Sequence, residues 1–320
     1  MARRDKGRKV DGWLVLDKPV GLTSTDAVAR VKRLFGAAKA GHAGTLDPLA
    51  SGCLPVALGE ATKTVANVMD GEKVYRFTVR WGEETNTDDT EGSVVRASDI
   101  RPTEAEIRAV LAEFTGRIMQ VPPRFSAVKI AGERAYDLAR DGEAVEIEAR
   151  EISVHSLDLI DAPDPDTGIF LARCGKGAYV RALARDLGRR LGACGHIVQL
   201  RRLAVGPFAE EHMISLEKLD ELLHKAGAFD GFAAGEALLS VATALDGIPA
   251  LAMTERDAAR LRRGQAVILR GRDAPVVSGP AYAVFGGLPV ALGEVEKGAF
   301  NPRRVFNLPD GHERPGPVNS

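Results

Sequence analysis

Residues 41–52 read GHAGTLDPLASG, and the rest of the chain is interpreted outward from them. Three glycines, a histidine and a proline surround a single acid, Asp47. Asp47 precedes Pro48, and a residue before proline is pushed out of the helical region, so this acid cannot continue a helix. Gly41, Gly44 and Gly52 permit positive φ and close backbone approach. Two readings fit. Asp47 is a turn or cap residue, for which aspartate is a common choice, or it is an acid presented for chemistry on a stiff loop. His42 fits a turn residue bonded to backbone. No second histidine stands at metal-ligand spacing, so no metal is expected.

The chain has 320 residues, more than one small core usually holds, which predicts two domains. A net charge of −1 gives no overall basic balance for nucleic acid. The charge is uneven, however: ARRDKGRK at the start is basic and EETNTDDTEG at 83–92 is acidic. Local patches can steer a polyanion when the total is near zero. The basic start reads as a solvated tail, and the acidic run is expected to face away from a polyanion. Cys53, Cys174 and Cys194 are odd in number and form no CxxC, against a disulfide framework or a zinc site and in keeping with a reducing cytosol. No apolar run reaches ~18 residues, the length of a membrane helix. No apolar core of a signal peptide follows the charged start.

GWLVLDKP (12–19) predicts a short strand, followed by a helix that Thr23 caps with Asp26 three residues on. KVYRFTVRW (73–81) alternates, with Tyr75, Phe77, Val79 and Trp81 on one face of a half-buried strand. PTEAEIRAVLAEFTG (102–116) predicts a helix opened by a Thr103/Glu106 capping box and ended by Gly116. Residues 120–150 form a basic, irregular insertion, of the kind that often carries function. GIFLARCGKGAYVRALARDLGRRLG (168–192) reads as strand, glycine turn and helix. Val180, Leu183, Leu187 and Leu191 face inward, and Arg181, Arg185 and Arg189 fall four apart on another face. After about 245, short strands joined by Gly and Pro turns predict a small β-rich domain.

Gly175-Lys176-Gly177 before a helix invites a phosphate-loop reading, but G-x-x-x-x-G-K-[ST] is absent and Val180 stands where G-x-G-x-x-G requires its last glycine. A Ser51, His42, Asp47 triad lacks the G-x-S-x-G elbow. Arg181, beside Tyr179, belongs to a solvated arginine face, or it is buried against a carboxylate that it would hold ionised by opposite charge and a forked bond.

Taken together, these stretches resemble the TruB family, the bacterial tRNA pseudouridine-55 synthases. GWLVLDKPVGLTSTDAV, AGHAGTLDPLASGCLPVALGEATK, KVYRFTVRWGEETNTDDTEG, VPPRFSAVKIAGERAYDLARDGEAVE, CGKGAYVRALARDLGRRLG and LRRLAVGPF run in family order over roughly residues 10–215. The resemblance implies an α+β fold. It has a catalytic domain at 11–245 built on the mixed, largely antiparallel pseudouridine-synthase sheet, after a basic tail at 1–10. A PUA-like RNA-binding domain follows at about 250–310, and a tail at 311–320.

It also implies an isomerase. The N1–C1′ bond of uridine 55 in the tRNA T-loop breaks, the base rotates, and C5 bonds to C1′, without metal or cofactor. Asp47 matches the catalytic aspartate and Arg181 its paired arginine. Tyr75 matches the tyrosine that stacks on the flipped uracil, where it could also act as a base. His42 matches the residue that fills the vacated space, and Tyr179 and Leu200 match pocket residues. Arg124, Lys129, Arg134 and Arg140 lie in the segment that clamps the T-arm, as candidates for phosphate contacts. The expected partner is tRNA, the expected state a monomer, and the expected location the cytoplasm. Two other classes compete: an RNA chaperone that folds tRNA, which can coexist with catalysis, and a small-molecule hydrolase built on His42, Asp47 and Ser51.

Overall fold

The structure, a computed structural model, describes residues 7–126, 129–130, 133–134, 147–225, 237–269 and 277–309. Its central sheet draws on β1 (Gly12–Lys18), β2 (Ala40–His42), β3 (Ala50–Leu58) and β4 (Lys73–Trp81). A hairpin of β5 (Glu83–Thr85) and β6 (Val94–Ala97) stands apart, and β7 (Gly116–Gln120) returns to the sheet. A second small hairpin pairs β8 (Lys129–Ile130) with β9 (Glu133–Arg134). The sheet is completed by β10 (Arg150–Asp164), β11 (Thr167–Cys174), β12 (Gly195–Val205) and β13 (Met213–Ile214). The strand order is β13-β1-β3-β12-β4-β11-β10-β7, with β2 on β3. Most pairs are antiparallel; β1 with β13 and β3 with β12 are parallel.

The sheet is packed on both faces, and β1 shows why its sequence is a continuous apolar run rather than an alternation. Leu14 and Leu16 enter one core, while Trp13 and Val15 enter a second core on the opposite face. On β4 the alternation holds as read: Phe77, Val79 and Trp81 are buried, Tyr75 is half-buried, and Arg76 and Arg80 are exposed.

Six helices surround the sheets among the described residues: α1 (Ser24–Leu34), α2 (Val65–Asp70), α3 (Glu104–Val110), α4 (Val180–Arg190), α5 (Leu216–Lys225) and α6 (Glu255–Arg262). Thr23 caps α1, and Thr103 with Glu106 forms the capping box of α3. None of these helices is long and apolar enough to cross a membrane.

Of the two readings of the arginines on α4, a solvated face or burial against a carboxylate, the structure shows burial. Besides Val180, Leu183 and Leu187 the helix buries Arg181 and Arg185. The acidic run packs over the arginine side of the helix, so that Glu84, Asp88 and Asp89 are buried too. The two runs neutralise one another. The basic N-terminal run is likewise tied down at its end, where Arg8 bridges Ala37 and Lys9 Nζ donates to the Asn307 carbonyl.

A separate five-stranded sheet follows, from β14 (Ala250–Ala252), β15 (Val267–Ile268), β16 (Gly279–Phe285), β17 (Leu288–Glu296) and β18 (Ala299–Val305). Its order is β14-β16-β17-β18-β15, and α6, absent from the sequence reading, closes its core through Ala258 and Leu261. Phe306 inserts into the Trp13 core of the first sheet, and Lys63 Nζ donates to the Val305 carbonyl at 2.7 Å. A mixed sheet with helices and a β-rich C-terminal sheet is the α+β architecture the sequence predicts.

Candidate active site

Asp47 sits on the loop between β2 and β3, and both of its neighbours are pinned. Ser24 Oγ accepts from Leu46 N at 2.8 Å and donates to Leu46 O at 2.9 Å. The Pro48 carbonyl accepts from Gly21 N at 2.7 Å and from Lys18 Nζ at 3.4 Å. Lys18 is fully buried, also donates to the carbonyls of Leu22 and Pro19, and has its pKa pulled down to about 8 by burial against the opposing pull of Asp47. Gly44 and Gly52 take φ of +102° and +97°, and a Cβ on Gly52 would run into the Arg202 carbonyl. The glycines are therefore used for backbone conformation and close approach.

The Asp47 carboxylate does not turn back on its own loop. Its Oδ2 lies 2.9 Å from Arg181 Nε, with the guanidinium buried and the carboxylate 35% exposed. Arg181 reaches it from the first turn of α4 and is itself held by three other groups. Nη1 donates to Asp89 Oδ2 at 3.2 Å and to the Thr87 carbonyl at 2.9 Å, and Nη2 donates to the Phe125 carbonyl at 2.8 Å. The Nε–H is not aligned with the Asp47 oxygen, so that contact is an ion pair and not a hydrogen bond. Asp89 is 1% exposed, which makes Arg181 a cation bridging one buried and one accessible carboxylate.

The other residues singled out from the sequence gather around this pair to different degrees. The charge of Asp47 acts on both Tyr75 and Tyr179. Burial pushes the Tyr75 phenol up, against the charge and hydrogen bond of Arg202. Tyr179 is the residue before α4, and Gln120 clamps its backbone in both directions, at 2.9 and 3.1 Å. Leu200 is buried on β12, in register with Ala50 and Phe77. His42 ends β2 opposite Val56, and burial followed by the Arg202 charge lowers its pKa. Arg124 is exposed, one residue before Phe125. Lys129 and Arg134 face each other in the β8–β9 hairpin, their side chains lying outside the described residues, as does all of Arg140.

Among the described residues, three buried side-chain polar atoms lack an aligned hydrogen-bond partner: His42 Nδ1, Ser126 Oγ and Arg181 Nε. Such orphans are rare in folded proteins and mark places where a ligand or water completes the bonding. Arg181 Nε faces Asp47 and Ser126 faces Tyr179, while His42 ends β2 at the start of the Asp47 loop, under the charge of Arg202. The Ser126 hydroxyl sits against the Tyr179 phenol.

Arg202 escaped the sequence reading. It is 1% exposed, and its guanidinium binds the carbonyls of Gly44 (3.0 Å) and Thr45 (3.4 Å) on the Asp47 loop and of Cys53 (2.7 Å) on β3 just after it. The available signal was phase: Leu200 and Arg202 share the inward face of β12, with the half-buried Arg201 between them. Asp89 had only the weaker signal of an acidic run available to match arginines spaced four apart. No cluster of His, Cys, Asp and Glu among the described residues could hold a metal.

Residues 32–180 match the TruB family pseudouridylate synthase N-terminal domain, and residues 181–246 match the tRNA pseudouridylate synthase B C-terminal domain. The chain is 62% identical over 306 residues to tRNA pseudouridine synthase B of Bradyrhizobium diazoefficiens, covering 96% of this chain and 88% of that one. It is 58% identical to the Chelativorans enzyme of the same name, covering 96% and 100%. Among solved structures, a Cbf5-Nop10-Gar1 complex superposes with a TM-score of 0.70 at 26% identity, covering 92% of this chain and 84% of that one. An H/ACA RNP bound to a substrate RNA containing 2'-deoxyuridine superposes with a TM-score of 0.72 at 25% identity, covering 93% and 86%. With two family models spanning most of its length and relatives this similar over nearly all of it, the chain belongs to the TruB family of pseudouridylate synthases.

Proposed function

We propose that this protein isomerises uridine 55 in the T-loop of tRNA to pseudouridine, with Asp47 as the nucleophile. The observation that carries the reading is the pairing of Asp47 with buried Arg181 at 2.9 Å, with one third of the carboxylate left open. A nucleophile needs the anionic form and an open approach, and this arrangement supplies an opposing cation behind the carboxylate and solvent in front of it.

A uracil stacked inside a folded loop is out of reach of a carboxylate on the protein, so the nucleotide flips out first. Tyr75 offers a π-face for the extruded base. Its raised pKa favours the neutral phenol, which suits stacking better than service as a base. His42, with its pKa lowered, enters the RNA stack as a neutral ring. The Asp47 carboxylate attacks C6 of the uracil or C1′ of the ribose, or assists elimination to a glycal. In each route the N1–C1′ bond breaks, the base turns while held by Tyr75, Tyr179 and Leu200, and C5 bonds to C1′. The C5 proton leaves and N1 gains one, so the change is an isomerisation that needs no oxidant, metal or cofactor.

Arg124, Lys129, Arg134 and Arg140 contact T-arm phosphates, and the C-terminal sheet serves as a PUA-like RNA-binding domain for a monomeric enzyme acting in the cytoplasm. The same docking supports a tRNA-folding role. Mapping pseudouridine in tRNA from cells that lack this protein tests the reading: position 55 stays uridine if it is right, and full modification there overturns it.

A further inference from the structure

Three arginines on α4 stand four apart and each meets one acid of the run 83–92, but they do not do the same thing. Arg189 makes a two-bonded pair with Glu84 and is half exposed. Arg185 is buried and divides its guanidinium. Nη1 donates to Asp88 at 3.0 Å, Nε to Asp186 at 2.8 Å, and Nη2 to the carbonyl of Val121 at 2.8 Å. Arg181 repeats that division one turn earlier, with Asp89 on one side and the carbonyl of Phe125 on the other.

The segment 120–126 is therefore fixed to α4 at successive points. Gln120 holds the Tyr179 backbone, Val121 is held by Arg185, and Phe125 is held by Arg181. Only the last two bonds use side chains of the helix, and only Arg185 does so without touching Asp47. The segment's far end delivers the Phe125 carbonyl to Arg181 and the orphan Ser126 hydroxyl to Tyr179. Bonds to a buried guanidinium are among the stronger ones a carbonyl can accept.

We infer that Arg185 is a positioning residue for the reaction: by gripping Val121 it sets the segment 120–126 so that the Phe125 carbonyl holds Arg181 and Ser126 is seated against Tyr179, beside Asp47. The catalytic part of this inference rests on the function proposed above, whereas the positioning part does not. Lysine at 185 keeps a positive charge beside Asp88 and Asp186 but has no planar fork to reach Val121 as well. Arg189 is the control on the same helix, because its hydrogen bonds go to Glu84 and not to that segment.

Arg185→Lys and Arg189→Lys are compared with wild type as full chains, by kcat and KM on tRNA, thermal midpoint, and, without RNA, hydrogen exchange of the amides in 121–126, those of Val121, Arg124, Phe125 and Ser126. We expect Arg185→Lys to lower kcat between about tenfold and about a hundredfold, the size of effect that a small misplacement produces. We also expect faster exchange at 121–126, while Arg189→Lys changes neither. An unchanged kcat in Arg185→Lys, or equal losses in both variants that follow their thermal midpoints, overturns the inference. If wild type forms no pseudouridine in tRNA, the function falls, and exchange still decides the positioning: faster exchange in Arg185→Lys alone supports it, and unaltered exchange overturns it.

Discussion

Arg181 Nε stands 2.9 Å from Asp47 Oδ2, yet its N–H is not aligned with that oxygen, while its two Nη groups donate three hydrogen bonds elsewhere. The arginine is thus rigid and the aspartate retains freedom, which suits a carboxylate that must leave its partner's plane to reach a substrate. The positioning depends on the fork, not only on the charge. Lysine at 181 keeps the charge but cannot serve Asp89, Thr87 and Phe125 together. Arg181→Lys is expected to lower kcat by about tenfold to a hundredfold, with KM for tRNA nearly unchanged. Steady-state kinetics on transcribed tRNA check this; a raised KM at constant kcat assigns Arg181 to binding instead.

Arg202 holds the opposite side of the same loop, and its loss is expected to appear in stability. Arg202→Lys leaves the carbonyls of Gly44, Thr45 and Cys53 short of donors, at about 1–3 kcal/mol for the buried Cys53 carbonyl and less for the other two, which are partly open to solvent. Arg201→Lys, next along the strand, weakens a partly exposed pair with Asp17, worth about 1 kcal/mol or less. Urea unfolding should show a clearly lower midpoint for Arg202→Lys and a small change for Arg201→Lys. Equal midpoints contradict the anchoring role.

Asp88 gives a pH-dependent prediction. It is buried, and desolvation raises its pKa from 3.8 to about 6 despite the pull of Arg185 and Arg181, with Glu84 adding to the rise. A carboxyl raised on folding contributes stability that is complete below its unfolded value and is lost as pH rises through the folded value. Asparagine removes that titration and tolerates the φ of +62° found at this position. Wild type is therefore expected to gain stability over Asp88→Asn as pH falls from 7.5 through 6 towards 4. Thermal midpoints across that range check the sign, and a difference that is flat or reversed contradicts it.

Much of the fold was legible because local rules agreed with one another. Tyr75, Phe77, Val79 and Trp81 alternate as a strand must, and Thr103 with Glu106 marks a helix start. Asp47 and Arg181 were legible as a pair only through the family's order of motifs, since their separation of more than one hundred residues is bridged by the sheet. The burial of Arg185 and of Arg202 was missed for one physical reason, which also left Arg181 open to two readings. A charged residue looks solvent-facing in sequence, but here burial is met by specific partners, the acids at 84–89 for the helix and loop carbonyls for Arg202. Those partners lie far along the chain and leave no local pattern.

Asp47→Asn provides the most direct measurement, because it keeps the size of the side chain while removing its charge. Single-turnover conversion of tRNA by saturating enzyme is expected to fall by about a thousandfold or more, with tRNA affinity within a few-fold of wild type. A variant that binds tRNA normally and still forms pseudouridine at a near wild-type rate contradicts the assignment of Asp47 as nucleophile.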